Sequence, residues 1–87
     1  MKGGSYMGTV AILFGVIIVI RPNDHNPPHV HAWYDEKQAK FSIIDGSIIS
    51  GSLPSSKIKD VQWFISTYRE ELLKMWNDKS YSILEKK

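Results

Sequence analysis

The chain has 87 residues, a formal net charge of +2 and no cysteine. That length makes one domain near the lower limit for folding on packing alone, and disulfides and thiolate metal sites are excluded. The mild charge gives no broad electrostatic footprint for nucleic acid.

The first six residues, Met1 to Tyr6, are polar and glycine-rich. Residues 1–8 are therefore expected to form a flexible N-terminal segment. Val10 to Ile20 is almost continuously apolar. The run is shorter than the roughly 20 residues a membrane span needs. It is rich in Val and Ile, and only Lys2 precedes it as a charge, so a buried strand over about Thr9 to Arg21 is expected rather than a signal segment. Gly15 marks a bulge or bend within that strand. A second strand is expected over His29 to Tyr34, a polar turn at Asp35-Glu36, and a third strand over Gln38 to Ile44. Ala39, Phe41 and Ile43 share one face of that third strand by period two. Asp45-Gly46 is a tight-turn signal before a short fourth strand over Ser47 to Ser50.

After Leu53-Pro54 the apolar period changes. Ile58, Val61, Ile65, Tyr68, Leu72 and Met75 recur at steps of three and four, which predicts one helix from Pro54 or Ser55 to Asn77. Trp63 falls off this stripe and is expected at its buried edge. Residues 80–87 form a tail that could add a short strand around Ser80 to Leu84. The expected fold is α+β: an antiparallel three- to four-stranded meander packed on one long C-terminal helix, with residues 9–79 as the domain.

All three histidines lie in Asp24-His25-Asn26-Pro27-Pro28-His29-Val30-His31. Proline removes backbone freedom and donors, so the segment reads as a stiff loop entering the second strand. Either X-Pro bond in it could be cis. His29 and His31 are two apart in a strand and share a face, which Trp33 continues, while Val30 and Ala32 turn to the core.

Three explanations of this cluster compete. The imidazoles could simply satisfy loop backbone and strand ends. They could bind a divalent metal, with His29 and His31 joined by His25, or by Asp24, as third ligand. They could also act as general acid and base on RNA, making His25, His29 and His31 candidate catalytic residues. In that case Arg21 or Lys40 would stabilise the transition state, and Trp33 or Tyr34 would stack an unpaired base. Asp24, Arg21, Trp33 and Tyr34 are the accompanying candidate binding residues.

At these residues the chain resembles a bacterial family of small domains of unknown function. The shared features are the apolar strand containing Phe14-Gly15-Val16-Ile17-Ile18, then Asp24-His25-Asn26-Pro27-Pro28-His29-Val30-His31-Ala32. They continue through Gly51-Ser52-Leu53-Pro54 to Glu71-Leu72-Leu73 and Trp76, over roughly residues 8–77. The resemblance implies a β-meander with a helix. It also implies one member of a two-gene, toxin–antitoxin-like module, whose partner would be a small protein from a neighbouring gene. It assigns no reaction. The chain departs from the family pattern in its extra N-terminal residues and in Trp33, where smaller or acidic residues are common.

The leading expectation is thus a toxin-like or RNA-acting domain, cytoplasmic and without a membrane partner. The alternatives are a protein-interaction module and a histidine-based metal-binding domain. No particular cofactor follows from the sequence beyond a divalent metal.

Overall fold

The computed structural model of the chain describes residues 8–87; the expected flexibility of the N-terminal segment falls almost wholly outside them. Six strands form one sheet in the order β5-β4-β3-β2-β1-β6. They are β1 (Thr9–Leu13), β2 (Val16–Val19), β3 (His29–Tyr34), β4 (Lys37–Ser42), β5 (Ile48–Gly51) and β6 (Glu85–Lys86). Two helices, α1 (Ser55–Thr67) and α2 (Arg69–Asp78), lie between β5 and β6. The α+β class is as expected, but the strand and helix counts differ from the sequence reading.

The expected first strand is a hairpin. Leu13 pairs with Val16 across Phe14-Gly15, both at positive φ (50° and 87°). Such a turn matches the twist of antiparallel strands. Phe14 is more than half exposed, and its carbonyl accepts a hydrogen bond from Lys57 Nζ at 2.9 Å. The single long helix is broken at Tyr68. Ser66 Oγ and Thr67 Oγ1 both donate to the Trp63 carbonyl, at 3.0 and 2.8 Å, and such back-bonding bends helices. Arg69 Nε then donates to the Ile43 carbonyl at 2.7 Å, and Tyr68 Oη to Glu85 at 2.6 Å, fixing the new direction. A tail strand does form, slightly later than expected, as β6 parallel to β1.

The two sheet faces differ as period two requires. Val16, Ile18, Val30, Ala32, Ala39 and Phe41 are buried with Val61, Phe64, Ile65, Leu72 and Met75 of the helices. The other face carries Ile17 and Trp33, both partly exposed, and the two strand histidines, both buried. Trp63 is 44 % exposed rather than edge-buried, with Lys87 Nζ 4.9 Å from its ring centre. None of the helices among the described residues is long and apolar enough to cross a membrane.

Candidate metal centre

The β2–β3 connection is held at several points along its length. Lys79 Nζ donates to the Pro22 carbonyl at 3.0 Å, which fastens the loop to the end of α2. The Ile43 amide donates to the Pro28 carbonyl at 2.9 Å, and the Asn26–Pro27 peptide is cis. The Pro27 carbonyl accepts a bond from His29 Nδ1 at 2.7 Å. A carbonyl can only accept, so Nδ1 carries a proton. The other ring nitrogen, Nε2, is thereby turned toward Asp24.

Asp24 Oδ2 is the meeting point. It lies 2.8 Å from His31 Nε2 and 3.1 Å from His29 Nε2. The three ligating atoms all fall within 4.8 Å of one another. A tetrahedral ion with bonds of about 2.0–2.2 Å has ligand–ligand edges of roughly 3.3 Å, so little movement is needed to admit one. The two rings meet edge to face with centres 5.0 Å apart, and Trp76 of α2 packs against His29 at 5.1 Å.

The charges follow from burial and contact. Burial pushes the Asp24 carboxyl up, but the hydrogen bond from His31 and the positive fields of His31, His29 and Arg21 outweigh it, leaving its pKa lowered. Burial lowers the His31 pKa more than its bond to Asp24 raises it. A neutral His31 donating Nε2–H to a carboxylate is the resulting arrangement. Burial, followed by the field of Asp24, raises the pKa of Tyr81, which places the tail near this carboxylate.

His29 is less comfortable. In neutral form, with Nδ1–H given to Pro27, its Nε2 presents a lone pair to a carboxylate oxygen 3.1 Å away. Two such acceptors repel unless a cation, whether proton or metal, lies between them.

The other candidate residues distribute around this centre. His25 is exposed on the loop and does not join the converging group; it lines a surface depression with Asp24, Pro27, His29 and Lys40. Arg21 and Lys40 line a second depression beside His31. Trp33 lies on the histidine face, partly exposed, whereas Tyr34 turns to the opposite side with Lys57 Nζ 5.0 Å from its ring centre. Trp76 and Tyr81 were not foreseen at the site. Trp76 reads in the sequence only as part of an apolar helix stripe, and no local signal ties it to His29.

No curated protein and no solved structure matches the chain significantly. A family model does match, over residues 15–77, a span that begins within the hairpin turn and contains the whole histidine loop, α1 and most of α2. The chain therefore belongs to the family described as a domain of unknown function, DUF4160.

Proposed function

We propose that Asp24, His29 and His31 form a mononuclear divalent-metal centre and that the domain functions through it. The observation that carries this reading is the orientation of His29. Its protonated Nδ1 is committed to the Pro27 carbonyl, and its Nε2 faces the same carboxylate oxygen that His31 contacts. An imidazole whose second nitrogen donates to a backbone carbonyl is the usual outer support of a metal-bound histidine, because it fixes tautomer and ring angle. Two imidazoles and one carboxylate suit zinc or a neighbouring first-row ion. Three protein ligands leave a fourth position free, the pattern of catalytic rather than structural zinc.

The acid/base reading is less well supported. Cleavage of RNA by two histidines needs one on each side of the reacting phosphate. Here both Nε2 atoms contact one carboxylate oxygen, at 2.8 and 3.1 Å. That convergence suits a shared cation and leaves no room for a phosphate between the rings. A toxin-like role in a two-gene module is compatible with a metal centre but draws no support from this geometry.

Elemental analysis of protein purified without a histidine tag tests the proposal. About one equivalent of a divalent transition metal is expected to remain after loading with excess zinc and exhaustive dialysis into metal-free buffer. Zinc that dialyses away freely would contradict the reading.

A further inference from the structure

We infer that this centre receives a phosphoryl oxyanion, held jointly by the open metal position and by Arg21 and Lys40. The inference rests on the metal reading and adds the class of ligand to it. Three observations converge. Lys40 is the cross-strand partner of His31, so it rises from the same face of the sheet directly beside a proposed metal ligand. Arg21 and Lys40 together line a depression of about 290 Å³ whose wall includes His31, Gln38 and Ser50. Lys40 also lines the adjoining depression that exposes Asp24 and His29, so one ammonium borders both openings of the centre.

Neither cation is neutralised locally. Among the described residues the ion pairs are those of Asp24 with the two histidines and of Lys74 with Asp78, and Arg21 and Lys40 take part in none. The field of Arg21 nevertheless reaches both Asp24 and His31. A bound dication would be only half offset by Asp24, with two further positive side chains at its rim. Such an excess favours a ligand with several charged oxygens. Arg presents a planar fork to two oxygens of one group, and Lys adds a compact point charge. A phosphoryl group with three free oxygens can meet all three cations at once, sharing an oxygen between the Arg fork and a neighbouring cation, whereas a carboxylate has two oxygens for three partners.

A phosphoryl group with three free oxygens can arrive as phosphate itself, on a nucleotide, or at the phosphorylated end of a polynucleotide. Trp33, one side-chain step beyond His31 on the same face and 37 % exposed, offers a stacking surface that only the last two would use.

The test is a titration of the cobalt-loaded protein, whose visible absorption reports the ligands on the ion. The probes are inorganic phosphate, a nucleoside monophosphate, a short single-stranded oligonucleotide with a 5′-phosphate, and acetate as the carboxylate control. Phosphate is expected to change the spectrum at least tenfold more tightly than acetate. Arg21→Gln and Lys40→Met are each expected to weaken phosphate at least tenfold while retaining cobalt. Tighter binding of the nucleotide or oligonucleotide, with quenching of Trp33 fluorescence, would identify the richer source; equal binding would identify free phosphate, and both outcomes support the inference. Cobalt bound with no response to any phosphate, acetate binding as tightly, or both variants behaving as wild type would overturn it while leaving the metal reading intact. Failure to take up cobalt in the first place would overturn both.

Discussion

His31 shows how much a single buried contact decides. Its lowered pKa means that the folded state takes up a proton less readily than the unfolded chain, whose imidazole keeps its ordinary value near 6.5. Stability associated with neutral His31 is therefore complete above about pH 6.5 and declines as the pH falls toward the folded-state value. Asp24 has the same sign at lower pH. Its ionised form is favoured in the fold, so its contribution is present above the ordinary carboxylate value of 3.8 and is lost below it, as the pH falls through the lowered one. In metal-free protein the urea midpoint should fall between pH 7 and 5, and His31→Gln should flatten that limb. Equal slopes in both proteins would assign the acid sensitivity elsewhere. At this scale the sequence was partly legible. Period two placed His29 and His31 on one face, but whether Asp24 or His25 would join them depended on the path of the loop through Pro27 and Pro28. That path is set by bonds to Ile43 and Lys79, which lie far along the chain.

Elements were legible where turn chemistry was conventional. Asp35-Glu36 and Asp45-Gly46 both lie in the turns that connect β3, β4 and β5, and Asp45 Oδ1 accepts a bond from the Ser47 amide at 2.9 Å. Gly15 reads as a bulge or bend and not as a hairpin turn, because Phe rarely takes positive φ and the continuous apolar run around Phe14-Gly15 reads as one strand. The helix break is hidden in the sequence for a different reason. Neither Pro nor Gly marks it, and the responsible hydroxyls of Ser66 and Thr67 sit on an exposed face where they disturb no apolar period. Gly51 closes β5 at φ 82°, and a methyl group there would overlap the Gln38 carbonyl. Gly51→Ala should therefore cost about 1–3 kcal/mol. Because β5 lies at the edge of the sheet, the loss should be read first as faster amide exchange in β5 and the facing part of β4. Unchanged protection would show that the turn can relax without strain.

Over the whole molecule, 87 residues without a disulfide leave little stability in reserve, so a bound ion would matter to folding as well as to chemistry. An ion that binds only the folded state at a hundredfold excess over its Kd adds about 2.7 kcal/mol. For a domain of this size that corresponds to a rise in Tm of roughly 10–20 °C. The family is shown by the match over residues 15–77, and the α+β class was legible from the switch of apolar period after Pro54. The identity of the three converging groups was not, because it joins a loop to a strand and packs both against α2. A calorimetric zinc titration of the tag-free protein, run alongside Asp24→Ala, His29→Ala and His25→Ala, tests the assignment most directly. Wild type and His25→Ala should bind one ion with similar affinity, while Asp24→Ala and His29→Ala should lose at least a hundredfold. Equal binding by all four proteins, or loss in His25→Ala alone, would contradict the centre described.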